Sequence, residues 1–367
     1  MQLKQIPRDA LLKPLSAVSG IVERRHTLPI LANVLLEQKN GQLHVTATDL
    51  EMQITAVANL EGKDGQATTV GARKLQDLLR ALPDDAQVTV DATGSRMTVR
   101  AGRSRFNLQT LAATDYPRIN VAQDKLQSLA LAQRDFRSLL KLAEFAMAQQ
   151  DIRYYLNGML LVIDKGSLQA VATDGHRLSW ASLAIDGDYA RAEVILPRKT
   201  VLELSKLLED DDTPVTIDLL PNQARFRFAN VELVSKVVDG KFPDYNRVIP
   251  TGHGKKIELD RGTLLSALSR AAILSNEKFR GVRLVLGDDQ LKIICTNSEQ
   301  EEAEEQLPVA YAGESIDIGF NITYLLDVLS NLAGEKVNFA FGDANSSALV
   351  TLPERDDYKY VVMPMRI

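Results

Sequence analysis

Apolar residues recur every three to four positions in six segments of the chain, the spacing that makes one face of an α-helix apolar. In the first segment, Leu11, Leu15, Val18 and Val22 share such a face. Polar residues occupy the opposite faces, so each predicted helix covers a hydrophobic core on one side only. The six predicted helices are 11–22, 75–82, 136–147, 201–208, 264–271 and 325–332.

Shorter apolar runs between these helices predict β-strands. Residues 159–163 and 168–172 flank Lys165-Gly166, a pair typical of a tight turn between antiparallel strands. Similar runs occur at 87–90, 97–101, 215–219 and 224–228. The predicted elements follow the order helix, strands, helix, strands in each of three successive parts of the chain, so that each part opens with a helix. This order predicts an α+β fold in which two helices pack on antiparallel sheet in each part.

A sequence landmark repeats at a long and nearly constant interval. Asp49, Asp174 and Asn297 each follow an Ala-Thr or Cys-Thr pair at the end of an apolar run, 125 and then 123 residues apart. The starts of the second helix in each part, at Ala72, Pro197 and Asn321, are 125 and 124 residues apart. An interval of this length is that of a whole domain rather than of a solenoid repeat. We therefore predict three similar domains, at 1–122, 129–250 and 254–367.

The composition is that of a globular protein, with 45% hydrophobic and 25% charged residues. Cys295 is the single cysteine and lies in an apolar run, which favours a buried hydrophobic side chain over a reactive thiol. No segment reaches the roughly 20 apolar residues of a membrane span, and the N-terminus has no signal-peptide core. We expect a cytoplasmic protein.

Charge is distributed unevenly around a net value of −5. Acidic runs at 209–212 and 299–305 contrast with basic residues at 24–25, 73–74, 96–105 and 198–199. Unlike charges at opposite ends of the chain would permit head-to-tail contact between copies, giving a filament or a closed ring, although ordinary solvated charge explains them equally well. Cations also follow the polar faces of several helices, as Arg134, Arg137 and Lys141 do, and these either line a positive surface or are simply solvated.

Sequence signatures of catalysis and of metal binding are missing. There is no phosphate-binding loop, no His-Glu-x-x-His motif and no paired cysteine motif, so we predict no metal and no cofactor. Asp174, His176 and Ser179 could be assembled into a triad, but Thr173-Asp174-Gly175 is more typical of a turn at a strand end. The apolar C-terminus, 360–367, and the segment 242–248 are candidates for an adaptable binding surface, the alternative for the former being a last core strand.

Six longer blocks make the family resemblance specific. They read YYLNGM at 154–159, ATDGHRL at 172–178, VVDGKFPDY at 237–245, AAILSNEKFRGVRL at 271–284, EQEEAEE at 299–305 and VVMPMR at 361–366. These blocks, in this order, resemble the bacterial DNA polymerase III beta subunit, the sliding clamp family. The general pattern of the family extends from Leu11 to the C-terminus.

The resemblance implies a non-catalytic accessory subunit of the DNA polymerase holoenzyme. Two copies would close head to tail into a ring of six similar domains, with helices lining the hole and sheets outside. The ring would encircle double-stranded DNA without sequence specificity, slide along it and act as a processivity factor. It would tether the replicative polymerase alpha subunit, the clamp loader, translesion polymerases, mismatch repair proteins and ligase through short linear motifs. A ring held by topology needs few phosphate contacts, which is compatible with the acidic net charge.

The resemblance also implies three sets of site residues. Those expected on the DNA side are Arg24, Arg25, Arg73, Arg80, Arg137, Gln150, Tyr155, Arg198, Lys199, Arg280 and Arg283. Those expected at the dimer interface are Lys74, Arg96, Arg103 and Arg105 of one copy and Ile273, Leu274, Glu301, Glu302, Glu304 and Glu305 of the other. A pocket for partner peptides with a glutamine and large apolar residues would be lined by Leu156, Thr173, Gly175, His176, Arg177, Leu178, Pro243, Arg247, Val248, Asn321, Tyr324, Ser347, Val361, Val362, Met363, Pro364, Met365 and Arg366.

Three residues depart from the pattern of the family. Asn345 replaces an apolar residue and predicts a more polar pocket, whereas Trp180 and Gly71 have no predicted role. Two other classes of function remain open. A DNA-binding regulator of repeated domains would have a basic total charge, against which the value of −5 argues. An enzyme using Asp174 and His176 would lose turnover, but not partner binding, on replacement of His176 by Ala.

Overall fold

The secondary structure repeats three times along the chain. The computed structural model describes residues 1–23, 28–60 and 62–366. In the first third the elements are β1 (Gln2–Pro7), α1 (Arg8–Val18), β2 (Asn33–Lys39), β3 (Gln42–Thr48), β4 (Met52–Ala58), β5 (Ala67–Gly71), α2 (Ala72–Ala81), β6 (Gln87–Thr93), β7 (Arg96–Ala101) and β8 (Ser104–Gln109).

The same order of a strand, a helix, four strands, a helix and three strands returns twice. The middle third contains β9 (Gln127–Ala132), α3 (Gln133–Glu144), β10 (Gly158–Asp164), β11 (Ser167–Thr173), β12 (Arg177–Ala184), β13 (Ala192–Pro197), α4 (Arg198–Leu207), β14 (Pro214–Leu219), β15 (Gln223–Phe228) and β16 (Val231–Lys236). The last third contains β17 (Lys255–Asp260), α5 (Arg261–Ala271), β18 (Gly281–Gly287), β19 (Gln290–Thr296), β20 (Glu302–Pro308), β21 (Ile316–Asn321), α6 (Ile322–Asn331), β22 (Lys336–Phe341), β23 (Ala348–Leu352) and β24 (Arg355–Val362).

This order confirms the predicted α+β class with six helices and antiparallel sheet. One detail of the prediction is wrong, because each third opens with a short strand, β1, β9 or β17, and not with a helix. These strands pair with the first strand after the second helix of the same third: β1 with β6, β9 with β14 and β17 with β22. Such long-range pairing leaves little trace in a local pattern.

The chain packs into two compact units. The first unit comprises residues 1–136 and 202–237, and the second comprises 137–201 and 238–367. In the first unit, an eight-stranded sheet has the order β5-β2-β3-β4-β16-β15-β14-β9, and a four-stranded sheet has the order β1-β6-β7-β8. Helix α1 packs on α2 and on β3 and β4, and its Leu11, Leu15 and Val18 are fully buried.

The second unit contains the same two kinds of sheet. Its eight-stranded sheet has the order β13-β10-β11-β12-β24-β23-β22-β17, and its four-stranded sheet has the order β20-β19-β18-β21. Helix α5 packs on α6 and on β19 and β20. Cys295 of β19 is buried, and burial raises the pKa of its thiol to about 11, which is the environment of an unreactive side chain.

The landmark that repeats in the sequence is a turn between two strands. The Oδ1 atom of Asp49 accepts the N–H groups of Glu51 and Met52, at 3.0 and 2.8 Å. Asp174 accepts those of His176 and Arg177 in the same way, at 2.9 and 3.0 Å. Asn297 accepts those of Glu299 and Glu301, at 2.9 and 3.0 Å. The interpretation of Thr173-Asp174-Gly175 as a turn at a strand end is confirmed.

Candidate functional site

The second unit has a small apolar cavity beside the turn that joins β11 to β12. Its volume is about 190 Å³, and little of its lining is polar. The turn, the segment before β10, the segment after β16 and the residue after β24 all contribute to it. The lining residues are Arg153, Tyr155, Leu156, Thr173, Gly175, Arg177, Leu178, Phe242, Pro243, Tyr245, Val248 and Met363.

The turn at one wall of the cavity requires a glycine. Gly175 has φ +90°, in the left-handed region that side chains with a Cβ disfavour. A Cβ atom at this position would lie 2.9 Å from Nη2 of Arg153. The Thr173 hydroxyl donates to the Arg177 carbonyl at 2.5 Å and accepts the Gly175 N–H at 3.1 Å, which closes the turn.

Arg153 is held in place at the mouth of the cavity. Its guanidinium donates to both carboxylate oxygens of Asp151, at 3.0 and 2.8 Å, and to the Asp174 carbonyl at 3.2 Å. The hydrogen bonds from Arg153 lower the pKa of Asp151 to about 2. Asn157 braces the same loop by bonding both the N–H and the carbonyl of Asp151.

Arg177 connects the turn to helix α6. Its guanidinium donates to Asp174 at 3.0 Å, to Asp327 at 2.6 Å and to the Phe145 carbonyl at 2.7 Å. The Tyr324 ring centroid lies 4.5 Å from the guanidinium carbon, within the range of a cation–π contact. Burial opposes the charged form, but the phenolic Tyr360 and the two carboxylates raise the pKa of Arg177 above its usual value. Arg177 is therefore a charged and immobilised part of the cavity wall.

The C-terminal segment is both a core strand and part of the cavity. Val361 and Val362 end β24 and are fully buried, and neither is among the residues that line the cavity described here. The next residue, Met363, lines the cavity, and its N–H donates to the His176 carbonyl at 2.8 Å. Further on, the Met365 N–H donates to the Gly319 carbonyl at 2.8 Å. The chain end is thus tied down by backbone hydrogen bonds.

The structure brings eight of the predicted pocket residues together. They are Leu156, Thr173, Gly175, Arg177, Leu178, Pro243, Val248 and Met363. The predicted residues outside the cavity lining, besides Val361 and Val362, are His176, Arg247, Asn321, Tyr324, Ser347, Pro364, Met365 and Arg366.

Several of these outlying residues have structural partners. Asn321 caps α6 by accepting the Thr323 N–H, and Tyr324 stacks on Arg177 as described above. Arg247 forms an ion pair with Asp244 at 3.0 Å, and the Ser347 carbonyl lies 2.8 Å from Nε2 of His253. Asn345, predicted to make the pocket more polar, bonds through its N–H to Asp343 and does not line the cavity.

The pocket predicted from the family resemblance lacked four lining residues. Arg153 was not predicted, Tyr155 was expected on the DNA side, and Phe242 and Tyr245 were predicted only as part of the candidate binding segment 242–248. Phe242 and Tyr245 belong to a buried cluster with Leu178 and Val361, formed where the segment after β16 crosses the sheet.

Two strands at sheet edges contain four of the ten predicted interface residues, Arg105 on β8 and Glu302, Glu304 and Glu305 on β20. In the first unit, β8 stands at the edge of its sheet and presents Arg105 together with Phe106, whose side chain is 37% exposed. Phe106 was not predicted. Arg96 opens the neighbouring β7, and Arg103 lies in the β7–β8 turn. Lys74 of α2 and Leu108 of β8 line one cavity of about 440 Å³.

The other edge is acidic. In the second unit, β20 stands at the edge of its sheet with Glu302 and Glu304 exposed. Glu305 instead accepts two hydrogen bonds from Arg270 of α5, at 2.7 and 2.6 Å, and Glu301 accepts one from Asn297. Glu301 and Glu305, two of the acids predicted to meet another copy, thus already have partners within the chain. Ile273, which follows α5, is 77% exposed, whereas Leu274 is half-buried.

The residues predicted on the DNA side have varied environments. Arg73, Arg80, Gln150, Lys199 and Arg280 are exposed, and Arg137 and Arg198 are half-buried. Arg73 and Arg198 also donate to main-chain carbonyls, of Val22 and Met147, at 3.2 Å each. Arg24 and Arg25 lie outside the described residues.

One of these DNA-side predictions does not fit the structure. Arg283 alternates along β18 with the buried Val282 and Leu284, so it faces away from the core that the helices cover. It pairs there with Asp317 of β21. Because DNA was expected on the helix side, Arg283 is misplaced for that role.

The described residues provide no support for a catalytic or metal centre. Ser179 is fully buried and donates to the Leu142 carbonyl at 2.6 Å, so it does not join Asp174 and His176 in a triad. Within 1–23, 28–60 and 62–366, no group of three or more His, Cys, Asp or Glu side chains could hold a metal ion. Among the same residues, no helix is long and apolar enough to cross a membrane.

Comparison with known proteins identifies the class to which this fold belongs. Three family models match in sequence order: the N-terminal, central and C-terminal domains of the DNA polymerase III beta subunit, at residues 1–120, 130–244 and 246–366. The repeated domains are thus those of a sliding clamp. The chain belongs to the DNA polymerase III beta subunit family and is a DNA polymerase processivity factor.

Relatives and solved structures cover the chain from end to end. It is 50% identical to the beta sliding clamp of Pseudomonas aeruginosa over 364 residues and 46% identical to that of Escherichia coli K12 over 363, with 99% of both chains covered in each case. The crystal structure of the Pseudomonas aeruginosa subunit superposes with a TM-score of 0.95 at 48% identity. That of Caulobacter crescentus superposes with 0.93 at 39% identity, and both structures cover 100% of this chain and are themselves fully covered.

Proposed function

We propose that two copies of this chain close head to tail into a ring that encircles duplex DNA, and that partner proteins insert short peptide segments into the cavity of the second unit. The observation that carries the ring is the pair of incomplete sheets. Both eight-stranded sheets join four strands of one third to four strands of the next. Joining β20 to β8 of another copy would produce the order β21-β18-β19-β20-β8-β7-β6-β1, the same arrangement a third time.

The joint between β4 and β16 in the first unit also supplies the register of this proposed pairing. In the first unit, Thr55 of β4 faces Glu232 of β16, and Ile54 faces Leu233. The corresponding residues of β20 and β8 are found from the way each strand pairs with its inner neighbour. Glu302 faces Thr296 as Gln53 faces Thr48, so Glu302 corresponds to Gln53. Ser104 faces Ala101 as Val231 faces Phe228, so Ser104 corresponds to Val231. Arg105 would therefore face Glu304 of the other copy, and Phe106 would face Ala303. Opposite charges facing each other across strands are favourable.

Charge reversal tests this register. Arg105→Glu and Glu304→Arg each put like charges opposite each other twice in a closed ring, so each variant is expected to shift the protein towards monomer in sedimentation velocity. The double variant restores opposite charges and is expected to recover the dimer. Lys63→Glu is the matched control, because Lys63 is an exposed cation of the first unit that lies between β4 and β5, outside the proposed interface. A double variant no more dimeric than the single variants would refute the register.

Features of the cavity support its role as a peptide site. It combines apolar side chains with few polar groups and ordered main-chain segments, which suits an extended peptide with large apolar side chains. Arg153 and the carbonyl groups of the turn provide polar anchors at its mouth. The proposed ligands are motifs of the replicative polymerase alpha subunit, the clamp loader, translesion polymerases, mismatch repair proteins and ligase.

Duplex DNA would lie against the helices of the ring and be held by enclosure. Exposed cations such as Arg73, Arg80 and Lys199 would give weak phosphate contacts that centre the duplex without fixing it. We propose that the chain acts in the cytoplasm without catalysing a reaction. The three domains at 1–122, 129–250 and 254–367 would contribute equally spaced helix pairs to the ring.

A further inference from the structure

Trp180 is connected to the cavity through one side-chain amide. It is the only tryptophan in the sequence and lies on β12, two residues after Leu178 and on the same sheet face. Its indole Nε1 donates to Oε1 of Gln169 at 3.2 Å. The Tyr245 hydroxyl donates to the same oxygen at 3.0 Å. Leu178 and Tyr245 both line the cavity, whereas Trp180 and Gln169 do not.

The indole determines how this amide must point. An indole nitrogen can only donate, so the atom of Gln169 facing it must be the amide oxygen. The amide nitrogen then faces Ser167, to whose hydroxyl it donates at 3.2 Å. With the oxygen fixed, Tyr245 must donate its proton to Gln169, and the Arg191 guanidinium interacts with the same hydroxyl.

Trp180 is itself held rigidly. Its ring packs against the buried cluster that contains Leu178 and Tyr245. The Lys359 ammonium from the neighbouring strand β24 lies 4.9 Å from the ring centroid, a cation–π contact. The indole N–H is thus presented to Gln169 from a fixed position.

We propose that Trp180 is a positioning residue of the peptide cavity, which orients the Tyr245 wall through Gln169. This inference rests on the proposed peptide-binding function. Without the indole N–H, the Gln169 amide is free to turn over and present its nitrogen to the Tyr245 hydroxyl, which then changes from donor to acceptor. The ring of Tyr245 loses its fixed orientation, and a peptide must restore it on binding.

Peptide affinity in a set of variants tests the proposal. The probe is a short fluorescein-labelled peptide with a glutamine and large apolar residues, titrated by fluorescence polarisation. Trp180→Phe keeps an aromatic ring but removes the donor, and Gln169→Leu removes the acceptor. Each is expected to weaken binding about fivefold, as the loss of one hydrogen bond does. The double variant is expected to bind no more weakly than either single variant, because both changes break the same connection.

Lys359→Met is the matched control, since it removes the cation over the ring and leaves the indole N–H in place. It is expected to retain the wild-type affinity. Trp180 also provides a signal of its own: peptide binding to the unmodified protein is expected to shift its fluorescence emission. In Gln169→Leu, saturating peptide is expected to leave that emission unchanged.

The possible outcomes separate the two proposals. If the wild-type protein does not bind the peptide, the peptide-binding function itself fails. If the wild type binds but Trp180→Phe and Gln169→Leu bind equally well, the cavity functions without this connection and the positioning role is overturned. Additive losses in the double variant, or an emission shift that persists in Gln169→Leu, would overturn it as well.

Discussion

Asp218 has a fully buried carboxylate that joins three strands of the first unit. Ser128 of β9 donates to it at 2.6 Å, and Arg225 of β15 donates at 2.9 and 2.6 Å. Lys125 and Arg227 add ion pairs at 3.0 and 3.1 Å. Burial alone would raise the pKa of Asp218, but hydrogen bonds donated by Ser128, Lys125 and Arg225 lower this pKa from 3.8 to about 2.

The pKa of Asp218 predicts how its contribution to stability depends on pH. Because the pKa is lower in the folded protein, the contribution is present above pH 3.8 and is lost as the pH falls through about 2. The shift corresponds to about 2 kcal/mol at neutral pH. Asp218→Asn removes the buried carboxylate that the half-buried Arg225 contacts and places a neutral amide among these donors, so it is expected to cost about 3 kcal/mol at pH 7.

Urea denaturation of both proteins over a series of pH values provides the measurement. The difference in the free energy of unfolding between wild type and Asp218→Asn is expected to narrow as the pH approaches about 2. A difference that is constant over the whole acidic range would show that the charge of Asp218 contributes nothing.

Gly175 provides a second prediction at the scale of the residue. Gly175→Ala strains a left-handed backbone and pushes against Arg153, so we expect loss of stability of about 1 kcal/mol together with at least tenfold weaker peptide binding. Gly166→Ala is the control, because Gly166 has φ +77° in the β10–β11 turn and does not line the cavity. It should lose similar stability but keep its peptide affinity. Equal affinities of the two variants in a fluorescence titration would contradict the assignment of this wall.

At the scale of the element, the two joints between thirds of the chain, where β4 pairs with β16 and β12 pairs with β24, explain why the cavity forms where it does. The first unit has the same turn, but Gln53 occupies the place of Leu178, and its amide oxygen accepts the Ile119 N–H at 3.0 Å. Tyr116, which corresponds to Tyr245, is buried with its hydroxyl 3.3 Å from the carbonyls of Asn33 and Thr46. In that joint, Gln53 and Tyr116 are therefore bonded within the chain. A repeated backbone thus gives two joints of different surface character.

The sequence predicted the elements better than it predicted their contacts. Helices and the turn at Asp174 depend on local spacing and could be read from it, although α1 ends at Val18 and α3 at Glu144, several residues before the predicted ends. Phe106 could not be recognised as special, since a phenylalanine in a strand is ordinarily buried. Its exposure follows from the position of β8 at a sheet edge, and that position depends on long-range pairing.

The exposed edge of β8 yields a prediction for assembly. Phe106→Ala removes a large apolar side chain from both proposed interfaces of the ring, and central aromatic residues of interfaces typically contribute about 2 kcal/mol or more each. We expect a mainly monomeric protein by light scattering at concentrations where the wild type is dimeric. Leu126→Ala changes a 50% exposed leucine outside the strands and should remain dimeric. A dimeric Phe106→Ala variant would argue against pairing through β8.

The residues that follow β24 yield a prediction for peptide binding. Truncation before Met363 leaves the whole of β24 in place, including the buried Val361 and Val362, but removes one wall of the cavity. We expect peptide binding to become undetectable by fluorescence polarisation, while light scattering still shows the dimer. Unchanged peptide affinity would exclude Met363 from the site.

At the scale of the whole molecule, the net charge of −5 and the proposed function of enclosing DNA are compatible. A protein that depends on phosphate contacts for its hold on DNA loses affinity steeply as salt rises. A closed ring is retained by topology instead, and salt that weakens every ion pair between protein and DNA leaves it threaded. A closed ring therefore leaves DNA only over an end, whereas a protein held by phosphate contacts can leave DNA that has no end.

Retention on circular and linear DNA distinguishes them. After loading by a clamp loader onto nicked circular plasmid, the protein is expected to elute with the DNA from a gel-filtration column in high salt. Linearising the same plasmid with a restriction enzyme should release it, because the ring slides off the ends. The Phe106→Ala variant, which should not close, is expected to be lost from both forms. Equal loss of the wild-type protein from circular and linear DNA would mean that it binds by surface charge alone, and the ring proposal would have to be abandoned.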